Sequence, residues 1–440
     1  MNIAIIGGGA AGFFAAIRTA EKNSGAKVVI FEATQQPLEK VLISGGGRCN
    51  VTHNCFDPAE LVKNYPRGHR ELRGPFTRFQ PRDTIDWFES RGVKLKAESD
   101  GRIFPTTDDS HTIANCLIAT AKSLGVEIRL GARVKEIRRT AEGTTLRQAQ
   151  GEVIGQGEVI GQGEFVAGED DRHAQEVAFN VECHGRSVEQ FDCVLLASGS
   201  AHQGYRFAEA LGHTIVAPVP SLFTFKLSDK RLDGLAGISF DNVHLTLTTE
   251  SGAKLEQSGP LLITHWGLSG PAVLKLSAWG ARELHECDYH ATLTINYLPA
   301  MTAEQMYERL LEHRERNPKK HIATEQALPI QLRFWKRIVE VSGVFGETIW
   351  SQITKEEMQK IASEFSHGRY AARGKGIFKE EFVTCGGVDL KEVDFKTMQS
   401  KVCPGLYFAG EVLDIDGVTG GFNFQSAWTT GWIAGSHIGG

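Results

Sequence analysis

Apolar residues fall into three successive rhythms along this chain. Residues 3–6 form an unbroken apolar run, residues 7–12 are glycine-rich, residues 13–20 suit a helix, and residues 27–31 are again apolar and β-branched. A buried strand, tight turn, helix and second buried strand, in that order, predict a βαβ unit of a parallel sheet. Short strand-like runs recur at 126–130, 134–137, 178–183 and 193–197 with no long helix between them. They predict a small β-meander that returns to the sheet. After residue 199 the strands lie farther apart, at 222–227 and 243–248, followed by a turn-rich stretch at 268–271. From 303 to 365 the pattern becomes helical and amphipathic, with Met306, Leu310 and Leu311 at helical spacing. Strand-like runs at 382–384 and 405–411 then resume the first rhythm.

These rhythms predict an α/β protein built on a Rossmann-like nucleotide domain, a parallel sheet plus the meander, made of residues 1–199 and 371–440. A β-rich subdomain, 200–300 with about 366–370, and a small helical subdomain, 301–365, interrupt it. A length of 440 residues agrees, being beyond what one hydrophobic core usually organises.

Composition narrows the function classes. Hydrophobic residues make up 41% and charged residues 23%, as in globular chains, which excludes a wholly disordered one. The net charge of −5 gives no basic field for phosphate backbones, so nucleic acid is not an expected partner. No apolar run reaches the ~18 residues of a membrane span, and the first residues lead straight into the glycine loop instead of a signal peptide. A cytoplasmic address and no membrane partner follow. The eight cysteines are scattered without a C-x-x-C pair or a zinc pattern, so no metal is expected. None of this decides the oligomeric state. A hexapeptide occurs twice at 151–162, too few copies for a solenoid, and reads as expansion inside a tolerant hairpin loop. Deleting it should leave cofactor content and turnover unchanged.

Three segments carry candidate chemistry. Gly7-Gly-Gly9-Ala10-Ala11-Gly12 matches G-x-G-x-x-G between a strand and a helix, with Glu32 twenty residues past Gly12 at the end of the next strand. The first glycine permits the turn, the second lets a diphosphate approach the backbone, and the third lets helix and strand pack closely. The acid suits adenosine ribose hydroxyls. Next, Ser44-Gly45-Gly46-Gly47-Arg48-Cys49-Asn50 exposes main-chain N–H groups, with Arg48 able to neutralise phosphate and Asn50 to bond a ring edge. Lastly, Gly410-Glu411 ends an apolar strand and Gly420-Gly421 precedes a helix from Asn423. A carboxylate there suits ribityl hydroxyls, and a helix N-terminus at a flavin pyrimidine edge would stabilise reduced flavin. Asp414 and Asp416, between them, are alternatively solvated or capping carboxylates.

The chain resembles the BaiN-type NAD(P)/FAD-dependent oxidoreductases, also labelled aminoacetone-oxidase-like flavoproteins, of the glutathione-reductase-like FAD fold. GGGAAG at 7–12, KVLISGGGRCNVT at 40–52, THWGLSGPAVLKLS at 264–277, EEFVTCGGV at 380–388 and GLYFAGEVLDIDGVTGGFNFQSAW at 405–428 carry the resemblance over nearly the whole chain. It implies FAD, held non-covalently, and the two-part insert. It also implies that 45–50 and 420–425 line the flavin. The expected cofactor set adds Ala33, Lys40, Val134, Ala197, Ser198, Gly199, Phe422, Asn423 and Gln425 to the residues above. From the insert, His265 beside Trp266 is the candidate for acid–base chemistry, with a buried structural histidine as the alternative.

The function expected is hydride transfer between non-covalently bound FAD and either NAD(P)H or a small organic substrate. No second G-x-G-x-x-G unit appears in the insert, so NAD(P)H, where used, binds transiently. Two alternatives stand beside it: a flavin dithiol reductase using Cys49 and Cys55, and a non-catalytic FAD-binding redox sensor.

Overall fold

A computed structural model describes residues 1–140, 178–376 and 383–439. The apolar run that opens the chain forms β1 (Asn2–Ile6), buried from Ile3 onward, as a strand covered on both faces must be. It pairs in parallel with β2 (Lys27–Phe31) on one side and with Cys193–Leu196 on the other. Leu406–Phe408 and Glu127–Arg129 flank these, again in parallel. The five strands form the body of a seven-stranded sheet, extended at one edge by the antiparallel pair Val393–Asp394 and Gln399–Ser400. The meander is the antiparallel sheet Val134–Arg139, Phe179–Cys183 and Glu189–Phe191. The 151–162 repeat lies outside the described residues.

α1 (Ala10–Lys22) joins β1 to β2. The C-terminal helix Phe422–His437 runs along it at close range because glycines face it. A β-carbon on Gly431 would stand 2.7 Å from the Ala11 carbonyl oxygen, and one on Gly435 2.4 Å from that of Ala15. Pairing 431 with 11 and 435 with 15 makes the two helices parallel, so their N-termini point the same way.

The insert is built on a six-stranded antiparallel sheet in the order Phe225–Lys226, Gly267–Ser269, Lys254–Thr264, Ser239–Thr249, His290–Asn296, Gly368–Arg373. Between the last two strands come the helices Ala303–Arg316, Leu332–Val341 and Lys355–His367, the first and third opened by capping boxes at Thr302 and Thr354. They do not enclose a core of their own. Met306, Leu310, Trp335, Ile338 and Phe365 share one apolar cluster with Leu245, Leu247, Leu293 and Ile295 of the sheet. That cluster begins at Phe223, whereas Tyr205, Phe207, Ala208 and Leu222 pack into the first core. The strand Ile215–Ser221, paired with Val383–Val388, leads from one core to the other. Among the described residues, no helix is long and apolar enough to cross a membrane, and no group of His, Cys, Asp and Glu could hold a metal ion.

Candidate functional site

Where the chain leaves β1, the glycines divide by what they meet. Gly7 has φ +116°, and a β-carbon there would stand 2.4 Å from the Ala197 carbonyl oxygen. At Gly12 it would stand 2.0 Å from the carbonyl oxygen of Gly7. The protein itself needs both. At Gly9 a β-carbon would meet nothing within 4 Å, and φ −92° is open to any residue. α1 then begins at Ala10 with no capping side chain and no acid in its first turn. The first N–H groups of such a helix have no partner within it and its end carries partial positive charge, the chemistry of a diphosphate site, and the space beside Gly9 is open.

Glu32, just beyond β2, fixes the next part. Its Oε2 accepts from the Gly8 N–H at 2.9 Å, and its Oε1 accepts from the Thr34 N–H at 2.8 Å. Beside it opens a cavity of about 380 Å³ whose wall includes Gly7, Glu32, Ala33, Val134 and Ser198. The Ser198 hydroxyl is buried without a hydrogen-bond partner, and Gly199 after it turns at φ +61°. Glu32→Ala is expected to weaken FAD binding about ten- to a hundred-fold, since hydrogen bonds to a charged group contribute ~1.5–3 kcal/mol. Equilibrium dialysis of the folded variant checks this.

The second glycine loop breaks the helix α2 (Glu39–Gly47). Ser44 leaves helical geometry at ψ 151°, and Gly45, Gly46 and Gly47 follow at φ +58°, +70° and +84°. All three are exposed, and β-carbons on Gly46 and Gly47 would meet nothing within 4 Å. Asn50 ties this loop to the third. With its amide oriented by its neighbours, its nitrogen donates to the Thr52 carbonyl at 3.0 Å and its oxygen accepts from the Gly421 N–H at 2.9 Å. The C-terminal helix therefore starts beside the glycine loop, after Gly420 at φ +131° and Gly421 at φ +91°.

Several expected contacts prove to be occupied by the protein. The Gly421 N–H, expected to face the flavin, is taken by Asn50. The Arg48 guanidinium, expected at phosphate, lies 2.7 Å from Glu98, 3.5 Å from Asp108 and over the Phe104 ring at 4.0 Å. Its charge is already paired. Gln425 is 0% exposed, accepting from the Thr52 and Thr84 hydroxyls at 2.6 and 2.9 Å and donating to Thr429 at 3.0 Å. It belongs to the buried packing of the protein, as does Phe422, 3% exposed. The Asn423 amide holds the turn by donating to the Gly417 carbonyl and accepting from the Gly417 N–H, both at 2.8 Å. Glu411 pairs with Lys40 and accepts from the Thr384 N–H at 3.1 Å, while Gly410 turns at φ +75° against Ala11. His265 is exposed, in the turn joining Lys254–Thr264 to Gly267–Ser269. It is not a buried structural histidine.

The thiols do not support dithiol chemistry. All eight cysteines are free, Cys49 is fully buried, and burial pushes its thiol up to about 12, with the Cys55 thiol raised for the same reason. A thiolate, the reactive form, is scarce at both near neutral pH. Titration of accessible thiols should give the same count in oxidised and in anaerobically reduced protein. Two thiols gained on reduction would restore the dithiol reading.

Sequence reasoning named Asp414 and Asp416 but missed the groups that hold them. Asp416, 0% exposed, is paired with Arg67, and the Ser221 hydroxyl donates to it at 2.7 Å. Arg67 also donates to the Ala278 carbonyl at 2.7 Å. Asp414 accepts from Arg282 at 2.8 Å and from the Gly386 N–H at 3.0 Å. Neither carboxylate is solvated, and neither caps a helix. His53, beside the Gly420-Gly421 turn, was also missed, because it stands one residue past the end of the 40–52 motif.

The donor set fits FAD. An uncapped helix N-terminus over Gly9 suits the diphosphate, the cavity at Glu32 suits a nucleoside, and the Gly46–Gly47 wall admits a flat ring. Fold and site define an FAD-dependent oxidoreductase. Family models agree: that of the HI0933-like protein Rossmann domain matches residues 1–166, and that of the HI0933-like protein barrel and H2TH domain matches 219–383. The chain belongs to the HI0933-like family, and its cofactor is FAD. Similar proteins include the ribosomal RNA dihydrouridine synthase of Escherichia coli K12, 28% identical over 97% of this chain and 95% of that one. The ribosomal RNA dihydrouridine synthase of Haemophilus influenzae is 29% identical over 97% and 96%. The 3-dehydro-bile acid delta(4,6)-reductase of Clostridium scindens is 27% identical over 99% and 98%.

Proposed function

We propose that this protein reduces a carbon–carbon double bond conjugated to a carbonyl group in a small organic substrate, with NAD(P)H as the transient electron donor. One observation carries the reading: two differently named relatives, each matched over nearly its full length, are named for a single chemistry. Dihydrouridine is uridine without the ring double bond next to a carbonyl. The delta(4,6)-reductase is named for double bonds in line with a 3-oxo group. Bound FAD supplies the hydride that such a bond accepts at its β-carbon.

The chain's own groups supply the rest. Gly9 and the N-terminus of α1 hold the diphosphate, Glu32 the ribose, and Gly45 to Gly47 leave one side of the ring open to substrate. His265 is the proposed proton donor to the α-carbon. Its turn is pinned by the Trp266 indole, which donates to the Thr224 hydroxyl at 3.2 Å. His265→Gln should lower substrate turnover about 10²–10⁴-fold while NAD(P)H still reduces the flavin at the wild-type rate. Eight unpaired cysteines fit a reducing cytoplasm, and the net charge of −5 favours a small molecule over RNA.

The test is anaerobic. Holoprotein is reduced with NADPH or NADH and mixed with conjugated enones, isolated alkenes, amines or a uridine-containing RNA fragment, following the flavin absorbance band. Reoxidation by enones alone is expected. Reoxidation by the RNA but by no small enone would overturn the substrate class, and bleaching of the oxidised protein by amines with no response to enones would overturn the reaction.

A further inference from the structure

His53 belongs to neither glycine loop, follows the second closely in the chain and lies against the Gly420-Gly421 turn. It follows Thr52 on the short strand β3 (Thr52–His53), three residues after Asn50. Its ring stacks on Phe422, the residue after the Gly420-Gly421 turn, with centroids 4.7 Å apart and planes 20° apart. Glycine backbone shapes the space around it: a β-carbon on Gly101 would stand 2.4 Å from Cε1, and one on Gly420 3.4 Å from Cδ2. Within this packing Nδ1 is buried and forms no hydrogen bond, although buried polar atoms in proteins are nearly always partnered.

The charged groups facing the ring come from two elements. Asp100, in the turn between Leu95–Ala97 and Arg102–Pro105, offers its main-chain carbonyl and its carboxylate. Lys275, on the insert helix Pro271–Trp279, brings an ammonium. Burial has the largest influence and holds the imidazole below its usual value. Asp100 pulls it up, and Lys275 adds to the lowering. The ring is neutral near pH 7, and a new negative charge beside it favours the protonated form.

We propose that His53 is a charge-compensating residue of the FAD site, taking a proton from solvent when the bound flavin is reduced and returning it on reoxidation. This rests on placement of the flavin ring beside the Gly420-Gly421 turn. A hydride carries two electrons and one proton, so its arrival adds one negative charge to the cofactor. The solvent proton forms an N–H bond at whichever ring nitrogen is unprotonated in the neutral imidazole, and balances that charge. No bond to the cofactor forms, and on reoxidation the proton goes back to water.

The test follows the histidine rings of wild-type protein by ¹⁵N-edited NMR in the apo, oxidised holo and reduced holo states, with His53→Asn supplying the assignment. The His53 pKa should rise by one unit or more on reduction. Between its two values, the midpoint potential of wild type should fall by roughly 59 mV per pH unit and that of His53→Asn by roughly 29.6, for two protons against one per two electrons. A His53 pKa that shifts on FAD binding but not on reduction overturns the proposal and leaves the ring placement standing. A pKa indifferent to FAD binding overturns both.

Discussion

Gly9→Val is expected to abolish stoichiometric FAD binding in a protein that still folds. The three glycines of the first loop are alike in sequence and opposite in consequence. A side chain on Gly7 or Gly12 would strike main-chain carbonyls, so those variants would confound ligand with fold. At Gly9 the backbone suits any residue and an added β-carbon meets no protein atom within 4 Å, leaving mainly the poor N-cap preference of valine, ~1 kcal/mol. What the side chain enters is the space assigned to the diphosphate. Losing about two charge-assisted hydrogen bonds there, at ~1.5–3 kcal/mol each, weakens FAD by more than about 100-fold. Calorimetry on the apo-proteins and a fluorescence titration with FAD separate the two effects. Valine at Gly9 with wild-type FAD affinity would move the diphosphate elsewhere.

Asp416→Ala is expected to have the largest effect on the fold. The substitution leaves Arg67, whose side chain is only 12% exposed, facing Ser221 and the Ala278 carbonyl with no carboxylate. Removing one partner of a buried pair costs about 3–5 kcal/mol because the other charge stays buried. A double variant, Arg67→Met with Asp416→Leu, should recover most of that, since no charge is stranded. Through the Ser221 hydroxyl and the Ala278 carbonyl the two side chains also hold the loop before Gly420-Gly421 against insert residues, so FAD should dissociate faster from the single variant. Denaturant melts of all three proteins decide it. Equal stability of Asp416→Ala and wild type would mean that the buried pair contributes nothing to the fold.

What the sequence disclosed, and what it hid, separates by distance along the chain. The β1 run, the glycine turn, α1 and Glu32 lie within about thirty residues, and period, glycine spacing and a strand-end acid announce them together. The open wall at Gly46 and Gly47 was likewise local, because three adjacent glycines have few other uses. Arg48 was legible as a charge but not as a pair, since Glu98 is 50 residues away. Gln425 reads as a polar residue at a helix start, and only the fold brings Thr52 and Thr84 to its amide. Asp414 and Asp416 look like solvated acids in a glycine-rich turn until Arg282 and Arg67 arrive from elsewhere. The 303–365 helices show the same limit, because amphipathic spacing marks an apolar face without naming what it packs on.

The most direct measurement is the flavin released when purified protein is denatured, separated by chromatography and counted against chain concentration. One FAD per chain is the result this account predicts, because Gly9, the N-terminus of α1 and Glu32 address the diphosphate and adenosine that FMN lacks. FMN alone, or no flavin from protein reconstituted with excess FAD, would contradict it.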